Sequence, residues 1–295
     1  MRNKSAYNVK IIITILILFS TVQCENPLAE ERRNIICFVD LSASVSQEQK
    51  NNYSKAIEEI LKSMSANDRI VCYPIDAGSY SNPIKIFNED FKNATESNIS
   101  FPEAFKDLPK NVKDSILPPF IKENETVFDE TKQSKRIQEY VNHIIPFIKN
   151  KLENVRSDKM LSKYSDILHC VLNSEKDIEE SDSYSLKVTN YFIFLSDMIH
   201  DDGIITFDKP YGISRDEGEK VLQNLKSTNL IPDLKKSKII IIGRSTGSRA
   251  KTPEALENIR TFWEEYFSPK YANGSDVYYA GADAISDIPK LLQAQ

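Results

Sequence analysis

Glycine is scarce in this chain of 295 residues, with only 8 occurrences. None falls in a Gly-x-Gly-x-x-Gly or Gly-x-x-x-x-Gly-Lys pattern behind an apolar run, so a dinucleotide site or a P-loop has no support. Cysteine is sparser still: 4 residues and no Cys-x-x-Cys. Cys37, Cys72 and Cys170 sit inside apolar patterns, as buried free thiols do, and not in the spacing of a disulfide framework or a zinc site. The 3 histidines, His143, His169 and His200, form neither His-x-x-x-His nor His-Glu-x-x-His, which leaves a zinc hydrolase without its ligand pattern. Packing or surface roles fit them better. Positive charge is also short, with a net charge of -5, so the electrostatic footprint of a nucleic-acid binder is missing. There is no internal repeat and no long low-complexity tract.

What is present begins with an export signal over residues 1–24. Arg2, Lys4 and Lys10 precede an apolar run at 11–19 that is too short to prefer a membrane span, and Ser-Thr-Val-Gln-Cys closes it. Cys24 resembles the lipid-modified cysteine of a bacterial lipoprotein, although Thr21 and Gln23 depart from the usual residues before it. A lipid anchor in the cell envelope and plain secretion therefore both stay open. Residues 25–33, polar and containing Pro27, read as a tether. Residues 34–295 read as one large domain with an enlarged insertion at about 91–164, since length is only a soft guide to domain number.

Apolar runs rich in β-branched and aromatic residues predict strands at 35–39, 69–75, 84–87, 187–195, 238–242 and 276–280. Helical spacing predicts helices between them: 47–64 with Ser46 as cap, 129–155 kinked or divided at Pro146, one just after Ser165, 214–227, 252–267 and a short closing one. The charged run 175–182 reads as a solvated loop. Alternating strands and helices imply an α/β fold: a doubly wound, mostly parallel six-stranded sheet flanked by helices, with one antiparallel edge strand after the turn at 76–83.

The chain is organised around Asn-Ile-Ile-Cys-Phe-Val-Asp-Leu-Ser-Ala-Ser-Val-Ser at 34–46. A strand buried on both faces ends abruptly in Asp40, Ser42 and Ser44, in the loop that opens onto the carboxyl edge of such a sheet, where ligands bind. One anion and two hydroxyls suit a small hard cation that keeps waters. Asp197 ends a later apolar strand in the same way. If the two strands are neighbours, their carboxylates meet, and two anions in one crevice need a counter-ion.

Here the sequence resembles the von Willebrand factor A domain and its metal-ion-dependent adhesion site. The resemblance rests on Asp40-Leu-Ser42-Ala-Ser44, on the helix-opening Ser165-Asp166-Ile167, and on Ser196-Asp197. It implies a Rossmann-like fold and a cation, Mg²⁺ or else Mn²⁺ or Ca²⁺, held by Asp40, Ser42, Ser44, Ser165 and Asp197. Ser165 stands where the family usually has Thr, with Asp166 the competitor for that role, and Met198 stands where a glycine commonly follows the last aspartate. The implied activity is non-catalytic: a protein or peptide ligand supplies an Asp or Glu carboxylate that completes the coordination. Two other readings stay open. Asp40 could serve a metal-dependent hydrolase or phosphatase of haloacid-dehalogenase type, but Ser42 stands where that family places its second Asp. A structural envelope protein with a degenerate metal site is the other.

Overall fold

A computed structural model of the chain describes residues 30–42, 45–65, 67–76, 85–91, 130–157, 165–181, 186–209, 212–243 and 252–293. The export signal, Cys24 and most of the insertion's first half lie outside them. In chain order the elements are β1 (Glu30–Asp40), α1 (Gln47–Lys62), β2 (Arg69–Ile75), β3 (Phe87–Asp90), α2 (Glu130–Ser157), α3 (Ile167–Ser174), β4 (Leu186–Leu195), α4 (Arg215–Ser227), β5 (Lys238–Ile242), α5 (Pro253–Phe267), β6 (Val277–Ala280) and α6 (Ile288–Leu291). Among the described residues no helix is long and apolar enough to cross a membrane.

The strands form one six-stranded sheet in the order β3-β2-β1-β4-β5-β6, parallel throughout except for the antiparallel edge pair β2–β3. The chain winds from β1 outward to β3, then returns to β4 and winds the other way. The reversal falls between β1 and β4, which makes their carboxyl ends the switch point of a doubly wound sheet.

Burial on both faces explains the unbroken apolar runs. Ile35, Cys37 and Val39 of β1 enter a core with α1, α2 and the closing helix. Ile36 and Phe38 enter a second core with α3, α4 and α5, where the Phe38 ring lies 4.7 Å from that of Phe194. Cys37, Cys72 and Cys170 are buried free thiols. Helix α1 opens with a capping box in which Ser46 and Gln49 serve each other's backbone amides.

Several boundaries differ from the sequence reading, each for a physical reason. Strand β1 begins at Glu30, inside the segment read as a tether. The buried Arg32 holds it there by pairing with Asp90 at 2.9 Å and with Glu179. Strand β3 lies at Phe87–Asp90, later than the predicted 84–87. Helix α2 runs through Pro146 undivided, with Ile137, Val141, Ile144, Ile148 and Leu152 buried on either side of it. Pro146 and Asn142 both face solvent, so water can take the carbonyl that the missing N–H leaves behind.

The charged run 175–182 is not simply a solvated loop. Asp177 is buried and takes hydrogen bonds from Lys85 at 2.7 Å, Arg69 at 2.5 Å and the Tyr73 hydroxyl. Its backbone carbonyl accepts from Asn34 at 2.7 Å, tying this turn to the middle of the sheet. Burial alone would raise the Asp177 carboxyl, but hydrogen bonds from Lys85, Tyr73 and Arg69 outweigh it and hold the group below the usual carboxylate range. A depressed carboxylate stabilises the fold above its unfolded pKa of about 4, and that contribution is lost as pH falls through the folded value. We expect urea midpoints of Asp177→Asn to fall less steeply than wild type from about pH 6 to about pH 3. Parallel acid limbs for the two proteins would refute this role.

Candidate metal centre at the switch point

The register pairs Val39 with Leu195, so Asp40 and Ser196 are the next residues beyond the last rung. Asp40 is wholly buried. Its Oδ1 accepts the Ser42 backbone N–H at 2.9 Å and its Oδ2 accepts the Ser196 hydroxyl at 3.2 Å. Burial pushes the Asp40 carboxyl up, and hydrogen bonds from the Ser42 hydroxyl and amide and from the Ser196 and Ser165 hydroxyls oppose that rise. Three loops thus deliver hydroxyls to one carboxylate.

Ser165 and Asp166, the two competitors from the second loop, face different groups. Ser165 turns to Asp40. Asp166 caps α3 by accepting the His169 N–H at 3.2 Å, and its other oxygen lies 2.9 Å from His169 Nδ1. Ser44 lies outside the described residues.

Asp197 is half-buried and starts a turn, its Oδ1 accepting the Ile199 N–H at 3.1 Å. The next residue, Met198, has φ of 62°, in the left-handed region. Glycine reaches that conformation without cost. Here a buried methionine holds it, fixed by its N–H to Ser196 Oγ at 3.0 Å and by its carbonyl, which accepts the Trp263 indole N–H at 2.9 Å.

Two residues join the site that the pattern of aspartates and serines did not single out. Tyr53 of α1 belongs to the helix's apolar stripe, yet its hydroxyl, on a side chain only 2% exposed, has no hydrogen-bond partner among the described residues. Burial first, then the charges of Asp197 and Asp40, push this phenol well up. Gly243, just past β5, has φ of 148°, and a Cβ there would lie 2.5 Å from the Ser196 carbonyl and 2.8 Å from the Tyr53 hydroxyl. A glycine ending a strand and a tyrosine on a core stripe look ordinary in sequence; only the topology brings them together.

These residues fit a small hard cation. Asp40 and Asp197 supply charge, the serine hydroxyls supply neutral oxygens, and a buried phenol feels both carboxylates while having no hydrogen-bond partner among the described residues. A second group, Asp166, His200 and Asp202, has ligand atoms within 4.8 Å of one another, a spacing that could hold an ion. The tautomer of His200 opposes it. His200 Nδ1 accepts the Ile167 N–H at 3.2 Å, which puts the proton of the neutral ring on Nε2; Nε2 lies 3.5 Å from Asp202 Oδ2 but makes no hydrogen bond among the described residues. A cation on Nε2 would need the other tautomer and would strand the Ile167 N–H. Burial raises the Asp202 carboxyl, while His200 and the amides of Ile205 and Ile204 more than reverse this and hold it low. The loop carrying this group is itself bridged, Asp201 pairing with Ser165 and with Thr206.

No known protein family's sequence profile matches the chain. No curated protein matches it in sequence either. Solved structures similar to it include proximal thread matrix protein 1 from the mussel byssus, with 11% identity and a TM-score of 0.37 over 90% of this chain and 48% of that one. An aerotolerance-related membrane protein from Bacteroides fragilis aligns with 8% identity and a TM-score of 0.36 over 88% of this chain and 98% of that one. The pilus adhesin SpaC from Lactobacillus rhamnosus GG aligns with 11% identity and a TM-score of 0.43 over 90% of this chain and 29% of the adhesin. This chain thus spans about half of the first of these proteins and under a third of the adhesin. The class defined by strand order and winding is a doubly wound α/β protein with its candidate site at the switch point.

Substituting Gly243 tests how tightly the site is assembled. Gly243→Ala should cost on the order of 1–3 kcal/mol in urea unfolding, because alanine is strained at that φ and its methyl meets backbone. An unchanged midpoint would mean that the strand end does not press on Ser196 and Tyr53.

Proposed function

We propose that the chain is an exported, non-catalytic binding module of von Willebrand factor A type. Asp40, Ser42, Ser44, Ser165 and Asp197 hold Mg²⁺ or another divalent ion, and a carboxylate from a protein or peptide ligand fills the remaining position. The observation that carries this reading is the convergence of the Ser42, Ser165 and Ser196 hydroxyls on buried Asp40, with Asp197 and Asp40 both acting on an unpartnered phenol. With two carboxylates and otherwise neutral hydroxyls and water around it, the ion keeps an exchangeable position that an incoming carboxylate oxygen can take.

The same arrangement argues against Asp40 as a nucleophile. Both its oxygens already accept hydrogen bonds, and it has no exposed surface from which to attack a phosphate. Export and a lipid anchor at Cys24 rest on the basic residues, apolar run and cysteine of the first 24 positions.

Calorimetric titration of the full chain with Mg²⁺ and Mn²⁺ tests the site. Ion at about 100 times its Kd should stabilise the fold by about 2.7 kcal/mol, reversibly with EDTA, and Asp197→Asn should remove most of the effect. Capture of a partner from an envelope fraction should then require Mg²⁺. A chain that takes up neither ion would sink the proposal.

A further inference from the structure

Resting on that reading of the site, we propose that Tyr53 is a positioning residue of the cation centre: its phenol oxygen accepts a hydrogen bond from a water on the ion and fixes where that water sits. Three observations converge on it. The hydroxyl is buried and has no partner among the described residues, where Asp40, Ser42, Ser165 and Ser196 are all engaged. Among the described residues Asn88 Oδ1, His200 Nε2, the Tyr266 hydroxyl and Ser268 Oγ are also buried without a partner, but Tyr53 is the one on which both Asp197 and Asp40 act. The hydroxyl lies within electrostatic range of Asp197 and Asp40 together yet bonds to neither, and a water on an ion held by those carboxylates would satisfy it. Finally, Tyr53 cannot easily retreat. The strand end at Gly243 closes on its hydroxyl, leaving no space for even a methyl group, and the capping box at Ser46 sets the start of its helix.

The chemistry of the group suits the task. Water on a divalent ion is polarised and donates strongly, so it needs an acceptor. A third carboxylate would supply one but would add negative charge and weaken the attraction for an acidic ligand. A phenol accepts without adding charge. Its own proton stays available to a carboxylate oxygen of the site.

Tyr53→Phe in the full chain keeps the ring and removes only the oxygen. By analogy with other groups that orient metal ligands, Mg²⁺ and Mn²⁺ affinity in calorimetry should fall about 10- to 100-fold. In EDTA, by contrast, the thermal midpoint of the variant should equal or exceed that of wild type, because the lost hydroxyl had no partner to lose. A purely structural tyrosine would lower the midpoint in EDTA and leave ion affinity alone, and either result overturns the assignment. Wild-type protein that binds the ions while Tyr53→Phe binds them equally well defeats this inference only; wild-type protein that binds no ion defeats the underlying reading as well.

Discussion

The parallel pairing of β1 with β4 is the constraint on which the rest of the structure depends. Their ladder runs from Glu30 and Leu186 to Val39 and Leu195, and it carries Asp40 and Ser196 past its last rung side by side. A slip of one residue would exchange the two faces of a strand. Here that would drive Phe38 into the space of Cys37 and Val39, between cores that are both full. Packing on two sides therefore fixes the register, and the register fixes which oxygens meet at the carboxyl edge.

Polar groups at the two ends of the sheet are treated differently. At the amino end Arg32, Arg69, Asn34, Asp177 and Glu179 are tied into a network of ion pairs and hydrogen bonds. Removing one member of such a buried set leaves the others uncompensated, which is how these sets specify a single arrangement. At the carboxyl edge Asp40 and Asp197 are met by hydroxyls and backbone amides, and the Tyr53 phenol is left without a partner among the described residues. Completed polar networks hold folds together; incomplete ones in a crevice are where ligands go.

Most of the fold was legible in the sequence because each strand at the centre is buried on both faces and each helix on one. The run 35–39 and the stripe Tyr53, Ala56, Ile57, Ile60 needed no partner to be read. The abrupt stop at Asp40 and again at Ser196-Asp197 was legible for the same reason, a polar residue where an apolar pattern ends. What escaped was decided by contacts far away in sequence. Arg32 belongs to a strand because Asp90 and Glu179 await it, and Asp177 is buried because Arg69, Lys85 and Tyr73 surround it. Pro146 passes through a helix because its face meets water. Tyr53 and Gly243 gain their meaning only from the order of strands, which no local pattern encodes.

The turn after Asp197 has one more consequence. Its Met198 carbonyl is gripped by the indole of Trp263, the only tryptophan in the chain. Any rearrangement of that turn must alter the polarity around a single chromophore buried one residue away from the crevice's outer carboxylate. The protein thereby carries its own optical gauge, and emission from its one indole follows the loop without a label.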